Sequence, residues 1–257
     1  MDLGLKSKTI IVTGSTRGIG YAIAESFLIE GSNVVINGRN IDMLESVETL
    51  FLDKFGENKL LSVAGDATND KFLDNLFKKS IEKFGSIDCV VATIGSISLN
   101  SLPESTSEWV KSLQGNFVGS AILAEKAIPF LKDRPDPNII FISSIAGNEA
   151  IGAPISYASS KAMVNYFSKA LASSDMGEKI RFNVVSPGNI FFPGGNWEEK
   201  YNENPIIWDE YLKSNVPIKR FGTPQEVANA VVFLASNKAS FITGACLIVD
   251  GGQTNHI

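Results

Sequence analysis

The sequence has little histidine and no excess of basic charge, and each shortage excludes a class of function. Its one histidine, His256, stands next to the C-terminus. A Ser-His-Asp or Cys-His hydrolase and a multi-histidine zinc centre are therefore excluded unless this terminal residue is recruited, and we expect no metal site. The 23 Lys and Arg against 28 Asp and Glu give a net charge of −5. This balance argues against a nucleic-acid partner, because phosphate contacts need clustered basic side chains.

Cysteine is also scarce, and long apolar runs are absent. Cys89 and Cys246 stand in short apolar segments, so we expect both to be small core residues. Their spacing matches neither a redox nor a metal motif. No signal-like stretch precedes the first strand, and no run approaches the roughly 18 apolar residues of a membrane helix. These absences predict a cytoplasmic protein with no membrane partner.

The 257 residues, 44% hydrophobic and 20% charged, suit a globular chain with a large core. Apolar β-branched runs alternate with helical periodicity from residue 8 to residue 249, predicting seven strands and six main helices. Such alternation is typical of a single-domain, doubly wound α/β Rossmann fold, a seven-stranded parallel sheet with helices on both faces. A (βα)8 barrel is the competitor, but it needs an eighth strand.

The longest irregular stretch predicted is 187–204, beyond an ordinary loop. It contains several aromatic, proline and glycine residues: Phe191, Phe192, Pro193, Gly194, Gly195, Trp197 and Tyr201. Long loops in compact domains are usually functional, so within one domain spanning 1–257 we predict a mobile substrate lid at about 187–215. An ordinary surface excursion is the alternative.

A glycine-rich turn, TGSTRGIG at 13–20, follows the first predicted strand and opens the first helix. Glycines in this context let the backbone approach a pyrophosphate, and the helix N-terminus supplies free N–H groups. The turn therefore predicts dinucleotide binding, with a ligand-free tight turn as the alternative.

The end of the second strand bears on the choice of dinucleotide. An acid there would bind a ribose 2′-hydroxyl, but the sequence reads Asn37-Gly38-Arg39. Arg39 could pair with a 2′-phosphate, and Arg17 in the glycine turn could reach the same group. Either arginine alone is more often a solvated surface charge than a phosphate ligand. Together, at these two positions, the arginines favour NADP(H) over NAD(H).

Three polar residues form a candidate catalytic set. Tyr157 and Lys161 are spaced to share one helix face, and Ser144 follows the strand predicted at 138–142. Reduction of a ketone needs a proton donor at its oxygen. We expect a Lys ammonium to lower the pKa of the Tyr phenol toward neutrality, and the Ser hydroxyl to orient the carbonyl. A helix Tyr beside an unrelated surface Lys is the alternative.

These motifs resemble those of the short-chain dehydrogenase/reductase family over nearly the whole chain, most closely the 3-oxoacyl-carrier-protein reductase-like branch. The resemblance implies an NAD(P)-dependent oxidoreductase acting on a small carbonyl or alcohol, commonly a homotetramer, with a homodimer also possible. It implies Asn116, Ser144, Tyr157 and Lys161 as catalytic residues, with Asn116 holding a water in a proton relay. It implies cofactor contacts from Gly14, Ser15, Thr16, Arg17, Gly18, Ile19, Gly20, Arg39, Asp66, Ala67, Ala92, Gly95, Tyr157, Lys161, Pro187, Gly188 and Ile190.

Two positions depart from the family pattern. Its N-N-A-G reads Ala92-Thr93-Ile94-Gly95 here, so the first Asn, which braces the central sheet, is absent. The Thr of P-G-x-x-x-T is Phe192, which removes a hydroxyl near the cofactor. Two other functions stay open: a sugar or polyol dehydrogenase, with Trp197 and Trp208 stacking on rings, and a non-catalytic dinucleotide-sensing protein on the same fold.

Overall fold

The computed structural model describes residues 2–95 and 104–255, and His256 lies outside them. Within these ranges the chain forms one seven-stranded parallel sheet of order β3-β2-β1-β4-β5-β6-β7. The strands are β1 Thr9–Val12, β2 Asn33–Gly38, β3 Leu60–Ala64, β4 Cys89–Ala92, β5 Asn138–Ile142, β6 Arg181–Pro187 and β7 Cys246–Val249. The α-helices are α1 Gly18–Ile29, α2 Ile41–Phe55, α3 Asp70–Phe84, α4 Thr106–Leu113, α5 Gly119–Leu131, α6 Ile155–Ala172, α7 Asn196–Glu203, α8 Pro205–Asn215 and α9 Pro224–Ala235.

Two apolar cores, one on each face of the sheet, hold the helices in place. Side chains alternate along each strand, so Ile10 enters one core and Ile11 the other. Helices α1, α2 and α9 cover the first face, for example through Phe27 and Phe51. Helices α3, α5 and α6 cover the second, with Phe77 fully enclosed. Burial on both faces explains why the strands are continuous apolar runs.

Local sequence signals set several helix ends. Asn40 caps α2 by accepting a hydrogen bond from the Met43 amide at 3.0 Å. Thr223 and Glu226 form a capping box at the start of α9, and Pro224 occupies its first turn. The predicted strand–helix alternation is confirmed, and β5 begins and ends at the predicted residues.

The region following β6 differs from the prediction. Residues 187–204 were expected to be irregular, but α7 begins at Asn196 and α8 follows it at once. No residue of α7 is buried; its apolar side is a set of aromatic rings that contact one another, which core-directed periodicity does not reveal. The Trp197 and Trp208 ring centroids lie 5.1 Å apart.

The expectation for the two cysteines is half right. Cys89 is buried in central strand β4, whereas Cys246 is exposed. Strand β7 lies at the edge of the sheet, and an edge strand can keep an apolar sequence without being covered on both sides. In the described ranges no helix is both long and apolar enough to cross a membrane.

The strand order places the functional region. It reverses between β1 and β4, and the carboxyl ends of parallel strands on either side of such a reversal form a crevice. The glycine turn follows β1, and Ser144 follows β5, one strand beyond β4. The candidate residues therefore come from loops at the carboxyl ends of the strands.

Candidate active site

Helix α6 carries Tyr157 and Lys161, and contacts with β5 fix its position. The Ser143 hydroxyl donates to the main-chain carbonyl of Lys161 at 3.1 Å. The Lys161 side chain is 4% exposed, and its Nζ donates to the Ile142 carbonyl at 3.0 Å. Lys161 Nζ lies 5.9 Å from the centroid of the Tyr157 ring. The lysine amine is thus held beneath the tyrosine, as the helical spacing predicts.

Ser144 lies beside the phenol of Tyr157. Its hydroxyl accepts a hydrogen bond from the Ala146 amide at 3.2 Å, which fixes the turn after β5. It also hydrogen-bonds to the phenol of Tyr157. Burial raises the pKa of Tyr157 above its ordinary value, and the hydrogen bond from Ser144 lowers it only in part. The phenol is therefore protonated at neutral pH, the state a proton donor requires.

The expected effect of Lys161 on the pKa of Tyr157 is absent. Burial lowers the pKa of Lys161 itself from 10.5 to about 8, and only burial and Ser144 act on the phenol. The physical reason is the low exposure of both groups, which disfavours the phenolate and the ammonium alike. Lys161 is thus the group of this pair whose charge changes closest to neutral pH.

Asn116 reaches the site through an irregularity in the long helix. Residues Gln114–Val118 form a π-helical segment between α4 and α5, and such segments re-aim side chains at functional sites. Asn116 is fully buried, and its Nδ2 donates to the Ser112 carbonyl at 3.0 Å. A Cβ atom at Gly95 would lie 2.6 Å from Asn116 Oδ1 and 3.0 Å from Lys161 Nζ. The structure therefore brings Asn116, Lys161 and Gly95 together.

The glycine turn has the geometry of an anion cradle. Gly14 and Gly18 have φ values of +59° and +55°, which favour glycine. A Cβ atom at Gly20 would collide with the Gly14 carbonyl oxygen. Helix α1 begins without a side-chain cap and without an acid in its first turn. Its free N–H groups and positive end fit the pyrophosphate of a dinucleotide.

Not every predicted residue of this turn offers its side chain to a ligand. Ser15 is buried, donates to the Val12 carbonyl at 2.9 Å and accepts from the Asn37 amide at 2.9 Å. Its hydroxyl therefore joins β1 to β2. The Thr16 methyl group packs against Gly38, and Ile19 packs against the first core.

Arg39 and Asp66 lie near each other at the ends of β2 and β3. Asp66 accepts hydrogen bonds from the Thr68 amide at 2.9 Å and the Thr68 hydroxyl at 2.8 Å. Burial would raise the pKa of Asp66, but these bonds and the charge of Arg39 lower it overall. Ala67 beside it is buried. Arg39 is exposed at this end of the crevice.

Arg17 has a partner that the sequence does not suggest. Its Nη1 donates to the Gly194 carbonyl at 2.9 Å, across the entrance between the glycine turn and the segment after β6. A guanidinium has five N–H donors, so this bond leaves others for an anion. Pro187 ends β6, and Gly188 and Ile190 follow it. The Gly188 amide donates to the Val249 carbonyl at 2.9 Å, and Ile190 is buried and bridged to Gly222.

Ala92 ends β4 and is buried, so its side chain takes no part in binding. The neighbouring Thr93 was not predicted as a site residue. Its hydroxyl donates to the Thr13 carbonyl, and its amide donates to the Thr13 hydroxyl at 3.2 Å. Gln253 was missed as well. It accepts from Asn189 Nδ2 at 2.8 Å and donates to the Tyr211 hydroxyl at 2.8 Å. No short motif marks either residue.

Comparisons with known proteins find relatives over nearly the whole chain. A family model described as "Enoyl-(Acyl carrier protein) reductase" matches residues 14–254. Isoepoxydon dehydrogenase patN of Aspergillus clavatus is 36% identical over 253 residues, covering 96% of this chain and 95% of the relative. The 3-oxoacyl-[acyl-carrier-protein] reductase FabG of Chlamydia muridarum is 37% identical over 257 residues, covering 98% and 100%.

Solved structures are similar over the same length. L-sorbose reductase from Gluconobacter frateurii, complexed with NADPH and L-sorbose, superposes with a TM-score of 0.90 at 32% identity, covering 100% of both chains. Fold, site and relatives together define an oxidoreductase of the Rossmann class. The chain belongs to the short-chain dehydrogenase/reductase family, whose members act on alcohol or carbonyl groups.

Proposed function

We propose that the protein transfers hydride between NADP(H) and a small carbonyl compound or secondary alcohol, with Tyr157 as the acid/base. The observation that carries this proposal is the convergence of Ser144 and Lys161 on Tyr157. When bound, the nicotinamide dinucleotide supplies or accepts the hydride. The chain's own residues orient the substrate and move the proton.

The protonated phenol of Tyr157 is suited to donate its proton to the oxygen of a ketone. The Ser144 hydroxyl, held by the Ala146 amide, orients the same oxygen and stabilises the charge that develops on it. Lys161 Nζ lies 5.9 Å from the centroid of the Tyr157 ring, and its pKa of about 8 suits it to pass a proton back toward the phenolate left behind. Asn116, beside Lys161, is placed to hold the water that returns the proton.

The cofactor preference rests on charge. Helix α1 and its glycine turn fit the pyrophosphate of either dinucleotide, but Arg39 supplies a cation where the NADP 2′-phosphate would lie. Arg17 has further N–H donors for the same group. No acid stands at the end of β2 to bind a 2′-hydroxyl, because that strand ends in Asn37-Gly38. This arrangement supports NADP(H) over NAD(H).

The substrate is proposed as a class. FabG of Chlamydia muridarum, a 3-oxoacyl reductase by name, supports a 3-oxoacyl-like ketone. A ketose or polyol is the second candidate, supported by the likeness to L-sorbose reductase. For the second candidate, the stacking surface would come from the aromatic rings of α7 and α8, with Trp197 and Trp208 in contact. A purely sensing role has no use for the proton-donor set.

Exchange of Tyr157 for Phe tests this function. We expect Tyr157→Phe to lower turnover of a ketone panel, including a 3-oxoacyl thioester and a ketose, by about 10²–10⁴-fold. The dissociation constant for NADPH, measured by calorimetry, should stay within about twofold because the variant keeps the glycine turn. Tyr166→Phe is the matched control, since Tyr166 lies on the same helix and is 78% exposed. Unchanged turnover in Tyr157→Phe would refute the acid/base assignment.

We also propose that copies of the chain associate as a homotetramer or homodimer. Apolar side chains on β7 and α9, among them Leu247 and Phe233, are 37% and 38% exposed, and covering them would remove apolar surface from water. Light scattering tests this: a monomer at all concentrations would contradict it.

A further inference from the structure

Phe192 lies directly on the glycine turn. A Cβ atom built on Gly18 would come within 2.6 Å of two carbon atoms of the Phe192 ring. A Cβ at Gly195 would lie 2.9 Å from the same ring. The ring is therefore held between two glycines, one on the cradle and one at the start of α7, and it also packs against the core beneath α1.

A hydrogen bond joins the same two segments, the glycine turn and the segment after β6. Arg17, which precedes Gly18, donates to the Gly194 carbonyl at 2.9 Å. The Gly194 amide in turn donates to the Glu198 carboxylate at 2.7 Å. Gly194 has a φ of +74°, which suits the tight turn that these bonds require. Residues 191–195 are thus tied to the glycine turn by a ring contact and a hydrogen bond. We call this pair of contacts the clasp.

Gly18 is the position at which the clasp matters. In a dinucleotide-binding turn the second glycine is small so that the pyrophosphate can approach the backbone. Here the large Phe192 ring covers that glycine. A pyrophosphate approaching Gly18 therefore meets the ring first.

We propose that Phe192 controls access of the nicotinamide dinucleotide to the glycine turn, and that binding requires the ring to leave Gly18. This inference rests on the proposed use of a dinucleotide, and it adds a residue that sets how tightly the dinucleotide binds. Opening the clasp draws on the free energy of binding, so the observed affinity equals the intrinsic affinity multiplied by the fraction of molecules in which the ring has moved. The same movement shifts α7, which begins at Asn196, and with it the ring of Trp197.

The experiment compares two variants that loosen the clasp with one that does not. Phe192→Thr removes the ring. Gly195→Ala keeps phenylalanine at position 192 but places a methyl group 2.9 Å from its ring, which pushes the ring away. The backbone of Gly195 is extended, with φ −89° and ψ 160°, and therefore accepts alanine. Phe191→Leu is the matched control, because its ring contacts Phe221 at 5.5 Å and Tyr201 at 6.1 Å. Circular dichroism and thermal unfolding check that each variant folds.

The readout is the dissociation constant for NADPH, measured by calorimetry, together with tryptophan fluorescence during binding. If the ring covers Gly18 in about nine tenths of molecules, Phe192→Thr should lower the dissociation constant about tenfold, with Gly195→Ala lowering it in the same direction. Association should be faster, and Phe191→Leu should behave as the wild type. The fluorescence change seen on binding to the wild type should shrink in both loosened variants.

Equal or weaker NADPH binding by folded Phe192→Thr and Gly195→Ala would overturn the role of Phe192 while leaving the proposed function standing. If neither NADPH nor NADH binds the wild type or the variants, the proposed function fails, and the role of Phe192 fails with it.

Discussion

The hydroxyl of Thr93 donates a hydrogen bond to the main-chain carbonyl of Thr13, joining the end of β4 to the end of β1. The Thr93 amide also donates to Thr13, to its hydroxyl at 3.2 Å. These bonds cross the point where the strand order reverses. The brace expected from the missing family Asn is therefore supplied by the residue that follows Ala92.

Thr93→Val tests this brace, because valine keeps the shape of threonine and removes the hydroxyl. We expect the free energy of unfolding to fall by about 1–3 kcal/mol, since the Thr13 carbonyl loses its side-chain donor in a partly buried place. Urea unfolding at neutral pH measures the change. Thr49→Val is the control, because Thr49 is exposed on α2 and bonds only within its helix. An effect no larger than that of the control would contradict the brace.

The low pKa of Lys161 predicts a particular pH dependence of stability. Its pKa is about 8 in the folded chain against 10.5 as the ordinary value. Between these pH values the unfolded chain binds more protons, so the free energy of unfolding rises with pH. Below about pH 8 the folded protein bears the full cost of a buried ammonium, about 3 kcal/mol.

Lys161→Met has no such titration. The stability of the wild type relative to this variant should therefore rise by about 3 kcal/mol from about pH 7 to about pH 11. Urea unfolding at several pH values measures the difference. Lys169→Met, in which an exposed lysine of the same helix is replaced, controls for the loss of a lysine. A pH-independent difference would show that Lys161 ionises as freely as in the unfolded chain.

Arg39 should determine the preference between the two dinucleotides. In Arg39→Glu the charge-assisted bonds to a 2′-phosphate are lost and a like charge replaces them. We expect the dissociation constant for NADPH to rise at least about tenfold, while NADH, which has no 2′-phosphate, binds as well as before or better. Arg39→Lys keeps the positive charge but lacks the planar guanidinium group, so its dissociation constant for NADPH should lie between those of the wild type and Arg39→Glu. An equal loss of affinity for NADPH and NADH in Arg39→Glu would contradict this role.

Gln253 should hold helix α8 against the loop that carries Ile190. Its side chain bonds to Asn189 on one side and Tyr211 on the other, and Gln253→Leu loses both bonds. We expect local opening of α8 to become about tenfold more frequent, measured as faster amide hydrogen exchange in Pro205–Asn215. Tyr211→Phe removes one of the two bonds and should give a smaller increase. Unchanged exchange in both variants would count against the link.

Much of the fold was predictable from local signals. Asn40, Thr223 and Pro224 mark helix starts by known capping chemistry, and the alternation of apolar strands with amphipathic helices predicts a parallel sheet. The candidate catalytic residues were found because Ser144, Tyr157 and Lys161 have fixed spacings in sequence. Their close approach in the structure follows from α6 packing on β5 and β6.

The remaining features depend on contacts between distant parts of the chain. Helix α7 was missed because Trp197 and Tyr201 pack on other aromatic rings, the latter 5.9 Å from Phe221, and not on the main cores. The bond from Arg17 to Gly194 spans 177 residues, and no local pattern encodes it. The raised pKa of Tyr157 depends on burial, which spacing alone does not give.

The position of Cys246 has a practical consequence. Cys246 is exposed on the edge strand of the single chain, whereas Cys89 is buried and burial raises the pKa of its thiol, so a maleimide reagent will spare Cys89 and will react with Cys246 wherever no second copy covers β7. The native sequence thus accepts a single dye or spin label without mutagenesis. A label there sits on the outermost strand of the sheet, where its mobility reports directly on whether another molecule covers that edge.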